Sequence, residues 1–235
     1  MQRIGIIGSG AIGTALARLA IAAEYEVMIA NSRGPESLRD LLKDLGPQAR
    51  AGNVREAAAF GDIPILAVPL TAYSSLPTGD FADKTILSSG NYYPHRDGRI
   101  ETLDALEKTT AEYEQSLLPG SRIVKAFNNI VAHHIPLLAD SHPRTALPIA
   151  GDRDEDKARV SGIIASFGFD PVDVGALAES WRFEPESGAY TAIYAASSDG
   201  FREDYLADAG TPLSAQRLRQ LLSASHRPDV IARKF

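Results

Sequence analysis

The sequence predicts an α/β fold: a doubly wound, mostly parallel sheet with a small C-terminal helical annex. Three observations carry this. Short apolar runs alternate with amphipathic segments from Arg3 to Gly175, and such alternation with short connections builds parallel sheets covered by helices on both faces. A glycine-rich turn, Gly8-Ser9-Gly10-Ala11-Ile12-Gly13, joins the first apolar run to the first amphipathic one. After about Ala176 the pattern changes to aromatic-rich segments of helical character. The expected division is therefore a main domain over residues 1–175 and an annex over 176–235.

Taken in order, "RIGIIG" (Arg3–Gly8) reads as a buried strand. Ile12, Leu16, Leu19 and Ala23 then recur at helical spacing. "EVMIANS" (Glu26–Ser32) is the next strand, and Pro35 opens a helix where its missing N–H costs nothing. That helix buries Leu38, Leu41, Leu42 and Leu45 and stops at Gly46-Pro47. "VREAAAF" is a short helix, and Asp62–Pro69 a strand in which Pro64 is tolerable only at the first residue. Lys84–Ser89 is a strand, followed by the polar, aromatic loop "GNYYPHRDGRI". A helix is expected from Thr110 to Leu118, then a strand over Arg122–Phe127 and a helix "NIVAHH". Thr145–Gly151 is a strand, a helix runs through Phe167, and Phe169–Gly175 closes the sheet. In the annex, "SAQRLRQLLSAS" is an amphipathic helix, and Trp181 and Phe183 anchor the segment to the main core.

Composition narrows the function. Of 235 residues, 44% are hydrophobic and 23% charged, an ordinary globular balance. The net charge is −6 with no basic block, which argues against a nucleic-acid partner. Cysteine is absent, so disulfides, thiolate metal sites and thiol nucleophiles are excluded together. The first strand begins near Arg3, leaving no room for a signal peptide, and no apolar run approaches the ~20 residues that cross a bilayer. The expectation is a cytoplasmic protein without a membrane segment.

The glycine turn matches G-x-G-x-x-G, and each glycine has a physical task. Gly8 permits the tight turn, Gly10 lets a pyrophosphate approach the backbone, and Gly13 lets the helix pack on the sheet. The helix N-terminus then offers free N–H groups and partial positive charge to phosphate. The context supplied by a preceding strand, a following helix and a second strand ending ~20 residues on points to a Rossmann-type dinucleotide site. NAD sites place an Asp or Glu at the end of that second strand. Here it ends Asn31-Ser32-Arg33, with no carboxylate to repel a 2′-phosphate. Ser32 and Arg33 can supply donors and charge, and Ser37 a further donor, which favours NADP(H). The alternative for Arg33 is a solvated turn residue.

Acid–base machinery is harder to find. Asp152-x-x-Glu155 has capping-box spacing before a helix and reads as an N-cap. His133-His134 would not share a helix face and has no acidic companion nearby, so no metal site is expected. Lys125-x-x-Asn128 ends a strand that should reach the cofactor. Alternation would put Lys125 and Phe127 on one face, Ala126 and Asn128 on the other. Ala126 would then pass the nicotinamide. Asn128 is the one candidate catalytic residue, bonding the carboxamide or a substrate, with a helix cap as its alternative. A cofactor site without an evident acid–base pair suits hydride transfer between two ring systems, where the cofactors carry the chemistry.

The segments "IGIIGSGAIGTALARLA", "ANSR", "ILAVP", "RIVKAFNNI" and "IAGDRDEDKARVSGIIASFGFDPVDVGAL" resemble the NADPH-dependent reductases of coenzyme F420, a deazaflavin. "KAFN" and "GFDPVDVG" also resemble the NADPH-oxidising domain of the STEAP metalloreductases. The similarity covers about the first three-quarters of the chain. It implies a homodimer in which NADPH lies across the sheet and the acceptor stacks on the nicotinamide. By position, Ser9, Gly10, Ala11 and Ile12 would hold the pyrophosphate, and Ser32 and Arg33 the 2′-phosphate. Val68 and Pro69 would flank the path to the nicotinamide, Ala126 would sit beside it, and Asn91 would be a polar loop residue near it. The loop "NYYPHRDGRI" is longer and more aromatic than the family's, and Tyr92 or Tyr93 could stack on an acceptor. The acceptor is thus a small redox molecule, coenzyme F420 or a flavin (FMN or FAD). Two other readings stay open: a small-substrate dehydrogenase of the β-hydroxyacid or pyrroline-carboxylate reductase type, and a non-enzymatic NADP(H) sensor.

Overall fold

The computed structural model describes residues 2–231. Its first half contains β1 (Arg3–Ile7), α1 (Ala11–Ala22), β2 (Glu26–Ala30), α2 (Arg39–Leu45), β3 (Ala49–Ala51), α3 (Val54–Phe60), β4 (Ile65–Leu66) and β5 (Thr85–Ser88). Two short helical turns follow, α4 (Pro94–Asp97) and α5 (Glu101–Asp104), then α6 (Thr110–Leu117), β6 (Arg122–Lys125) and α7 (His134–Leu138). The chain continues through β7 (Ala146–Gly151), α8 (Asp154–Ser166), β8 (Asp170–Asp173), α9 (Ser198–Glu203) and α10 (Ala215–Ala224). All eight strands form one sheet in the order β3-β2-β1-β4-β5-β6-β7-β8. Every pairing is parallel except β6 with β7. No helix among the described residues is long and apolar enough to cross a membrane.

The strand order reverses between β1 and β4, and a ligand crevice belongs outside the carboxyl ends of strands at such a switch point. Ile6 is registered between Ile29 of β2 and Ile65 of β4. Strands flanked on both sides and covered on both faces become continuously apolar, as the burial of Ile4, Ile6 and Ile7 shows. One face packs Ile6, Leu16, Val27, Val124 and Ile164 into a core, and the other packs Ile7, Ala58, Leu66, Phe81 and Ile123.

Several expectations need correction. No strand is expected between Gly46-Pro47 and "VREAAAF", yet Ala49 to Ala51 pair with β2 at the sheet edge. The expected strand Asp62–Pro69 shrinks to Ile65–Leu66. Pro64 precedes it and contributes only its carbonyl, which accepts from the Leu87 N–H at 3.1 Å. The helix after Pro35 begins as a 3₁₀ turn, Pro35–Leu38. The segment "NIVAHH" is turn, and α7 starts only at its last residue, His134. Asp152 and Glu155 do not form a capping box. Arg153 is the N-cap without a side-chain bond, and Asp152 Oδ1 accepts instead from the Leu177 N–H at 2.9 Å. A capping box does exist at α6, where Thr109 and Glu112 satisfy each other's backbone N–H groups.

The annex is less helical than its composition suggests: 3₁₀ turns cover Leu177–Phe183 and Thr191–Tyr194. Phe183, Ala189, Tyr194, Leu218 and Leu222 nonetheless join the core of the sheet. Tyr194 Oη donates to the Ala146 carbonyl at 2.9 Å, and Asn129 Nδ2 to the Ala189 carbonyl at 3.0 Å. Burial pushes the Tyr194 phenol far above its ordinary range. Phe183 is fully buried, whereas Trp181 is only partly so and carries the Arg182 guanidinium over its ring.

Candidate functional site

The turn after β1 is shaped by three different glycine demands. Gly8 adopts φ +116°, and a Cβ there would lie 2.1 Å from the Ala67 carbonyl oxygen. A Cβ on Gly13 would lie 1.9 Å from the Gly8 carbonyl oxygen, so α1 can close on the strand only without one. A Cβ on Gly10 would meet nothing within 4 Å. Gly10 therefore borders open space, as a backbone waiting to receive a ligand should. Gly10 is the N-cap of α1, with no side-chain cap and no acidic residue in the first turn. The positive end of this 12-residue helix therefore carries no side-chain counter-charge in its first turn.

At the end of β2, Asn31 organises the neighbouring loop. Its Nδ2 donates to Ser9 Oγ and to Ser37 Oγ, both at 3.0 Å. Its Oδ1 accepts from the Arg33 N–H at 2.9 Å. Ser37 Oγ donates to the Gly34 carbonyl at 2.7 Å, so this hydroxyl serves the loop. Ser32 and Arg33 are exposed, and the Arg33 guanidinium has no hydrogen bond or ion pair among the described residues. Both line a cavity of about 890 Å³ with Gly8, Ser9, Gly10 and Asn31. Val54, Arg55 and Leu76 also line it, and the sequence reading missed all three. The capping box of α3, Asn53 with Glu56, was the available signal: it marks a helix N-terminus following a strand, on the crevice edge of the sheet. Arg55 lies 3.5 Å from Asp80.

A second cavity, of about 550 Å³, meets the first at Gly10, Val68 and Pro69. Ala11 and Ile12 continue its wall from α1. Asn91 and Asn128 face each other across it from the ends of β5 and β6. Asn91 Nδ2 donates to the Asn128 carbonyl at 2.8 Å, and Asn128 Nδ2 to Asn91 Oδ1 at 3.2 Å and the Phe183 carbonyl at 2.9 Å. Asn128 Oδ1 is buried without a hydrogen-bond partner. Asn128 thus does not cap a helix. Ala126 is fully buried in the core and does not line the cavity; Phe127 and Asn128 do.

Strand alternation holds at Ala126, opposite Lys125, and breaks at Phe127. Phe127 has φ +58°, which turns its ring onto the face of Val124 and Ala126, against Phe169 at 5.6 Å and Phe167 at 6.3 Å. Lys125 goes to the opposite side. Its Nζ donates to Glu114 Oε2 at 3.2 Å, and both side chains are wholly buried. Ser88 Oγ donates to the same oxygen at 2.9 Å. Burial, and then the Glu114 carboxylate, push the nearby Tyr73 phenol well above its usual range. Of the loop tyrosines, Tyr92 is buried with its hydroxyl on Asp104 at 2.9 Å, while Tyr93 lines the second cavity. Tyr190 of the annex reaches the same wall and hydrogen-bonds Tyr93. His133 and His134 each turn Nε2 to the Asp208 carbonyl at 3.2 Å.

Comparisons with known proteins agree with this architecture. Residues 3–92 match a family model described as NADP oxidoreductase, coenzyme F420-dependent. Metalloreductase STEAP3 of Rattus norvegicus is 31% identical over 184 residues, 77% of this chain and 36% of that protein. The chain thus spans about a third of that relative's length. The solved structure of hypothetical protein SMa0349 from Sinorhizobium meliloti is 31% identical, with a TM-score of 0.72 over 81% of this chain and 93% of that one. A candidate F420-dependent NADP reductase from Arthrobacter sp. FB24 shares the fold at 20% identity, TM-score 0.63, over 75% of this chain and 86% of its own. Through residues 3–92 the chain groups with the NADP oxidoreductases described as coenzyme F420-dependent.

Proposed function

We propose that the protein transfers a hydride between NADPH and a flat ring acceptor, a deazaflavin of the coenzyme F420 kind or a flavin. One observation carries the reading: two joined cavities, one ending at the free guanidinium of Arg33 and the other walled by aromatic rings, meet over the naked helix terminus at Gly10.

The residues present fit NADPH. The first-turn amides of α1 would take the pyrophosphate, Ser32 and Arg33 the 2′-phosphate, and Asn31 holds both segments in place. The unpartnered Oδ1 of Asn128 would accept from the carboxamide N–H of the nicotinamide, with Asn91 fixing its rotamer. That makes Asn128 a positioning residue. NADPH supplies the hydride when bound. Val68 and Pro69 would narrow the passage between the cavities, and Phe127 and Tyr93 would exclude water from the acceptor side.

A small-substrate dehydrogenase of the kind weighed above would want a catalytic lysine in the crevice, and Lys125 is buried in an ion pair with Glu114 and lines neither cavity. Following NADPH absorbance with the deazaflavin, with FMN and without acceptor tests the proposal. Oxidation dependent on one of the acceptors supports it. Tight NADPH binding with no oxidation by any acceptor would favour the sensor and refute it.

A further inference from the structure

Hydride transfer leaves a reduced deazaflavin or flavin anionic, and a proton donor in the second cavity would neutralise it as it forms; this inference rests on the proposed function. The ionisable groups on its wall are few. The Arg96 guanidinium holds its protons at neutral pH and is engaged by Asp97 at 3.0 and 2.8 Å and by the Asn91 carbonyl at 2.7 Å. His133 Nε2 is committed to the Asp208 carbonyl. Tyr205 is 49% exposed at the rim. Tyr93 and Tyr190 remain, half-buried and hydrogen-bonded to each other.

We propose that Tyr190 is the proton donor to the acceptor ring and Tyr93 its relay. Two groups meet the Tyr190 oxygen: the Tyr93 hydroxyl, in a bond where either oxygen can donate, and the Asn91 Nδ2, which donates at 3.3 Å. Both would stabilise the oxyanion left when the proton departs. The same Asn91 amide group binds the Asn128 carbonyl, so the donor is tied to the residue that would orient the nicotinamide. The Arg96 guanidinium lies 4.8 Å above the Tyr93 ring and adds positive field at the relay.

The balance is complete. A hydride carries two electrons from NADPH to the central ring position of the acceptor, a carbon in a deazaflavin and a nitrogen in a flavin. The Tyr190 O–H bond breaks and its proton goes to the ring nitrogen that gains electron density. Tyr93 reprotonates Tyr190, and water reprotonates Tyr93. NADPH, acceptor and one solvent proton become NADP⁺ and reduced acceptor. Tyr190 comes from the annex and Tyr93 from the loop after β5, so the annex completes the site.

The test uses Tyr190→Phe and Tyr93→Phe, which keep both rings. Removing a general acid costs ~10²–10⁴-fold, and about 100-fold in kcat with FMN or the deazaflavin is expected for Tyr190→Phe. Tyr93→Phe loses less. Binding of NADPH and oxidised FMN, read by fluorescence quenching, stays within about threefold of wild type. Added imidazolium buffer restores turnover to Tyr190→Phe and leaves the wild type unmoved, which a structural role would not produce. Undiminished turnover in Tyr190→Phe overturns the donor assignment alone, as does a parallel loss of binding or a failure of every buffer acid to rescue. A wild type that binds NADPH but passes hydride neither to the deazaflavin nor to FMN overturns the proposed function, and the donor falls with it.

Discussion

One methyl group added at Gly10 and the same methyl added at Gly13 should have opposite consequences. Gly10 sits at φ −74°, ψ −172°, a conformation open to alanine, and its Cβ would touch nothing within 4 Å. Gly10→Ala should therefore fold. Its cost is the exchange of a good N-cap for a poor one, about 1 kcal/mol or less, or ~2–4 °C in Tm for a chain of this size. The methyl would occupy the space against the helix terminus where a pyrophosphate must approach. Loss of one charge-assisted hydrogen bond costs ~1.5–3 kcal/mol, so NADPH should bind about 10–150-fold more weakly. At Gly13 the Cβ would stand 1.9 Å from the Gly8 carbonyl oxygen and 2.9 Å from its carbon. Both belong to backbone, so neither can rotate away, and the strand–helix turn must shift. Overpacking of this kind costs ~3 kcal/mol and should lower Tm by about 6–12 °C. Calorimetry of thermal unfolding and NADPH titration on the two variants separate the effects. Wild-type affinity in Gly10→Ala would refute the assignment of this turn to the pyrophosphate. Wild-type stability in Gly13→Ala would refute the packing argument.

Other perturbations follow from the same geometry. Arg33→Ala should cost NADPH ~1–2 kcal/mol, the low end for a charged contact because Arg33 is exposed to solvent screening, and NADH almost nothing; equal losses in titration calorimetry would contradict 2′-phosphate recognition. Lys125→Met strands the Glu114 carboxylate in the interior, where both side chains have zero exposure, and should cost ~3–5 kcal/mol in thermal unfolding. Adding Glu114→Gln should recover much of that loss. The Asp208 carboxyl is held below its ordinary 3.8 by the Ala196 N–H first, then those of Gly210 and Ser197 and the His134 ring, against desolvation. A depressed carboxyl stabilises the fold above its unfolded value and loses that contribution as pH falls through the folded one. Protection factors for hydrogen exchange over residues 196–210, taken against the intrinsic rate, should thus fall below about pH 4, and in Asp208→Asn already at neutral pH.

Much of the frame was legible because it depends on local chemistry. The glycine turn, the strand–helix alternation and the Asn31-Ser32-Arg33 ending could be read residue by residue. The acceptor side could not. Strand alternation predicted that Phe127 would share the face of Lys125, but the left-handed conformation of Phe127 reverses it, and a positive φ at a phenylalanine leaves no mark in its neighbours. The spacing of Asp152 and Glu155 is that of a cap, yet Asp152 is drawn to the Leu177 N–H, 25 residues away along the chain.

By itself, the sequence determined the architecture and the open glycine turn beside Asn31-Ser32-Arg33, because apolar periodicity, glycine placement and the missing carboxylate after β2 act over a few residues. Tertiary structure alone decided the antiparallel docking of β7 on β6, the burial of Lys125 with Glu114, and the arrival of Tyr190 beside Tyr93. Those contacts join segments 11 to 97 residues apart, and they form only when the core has fixed where each segment ends.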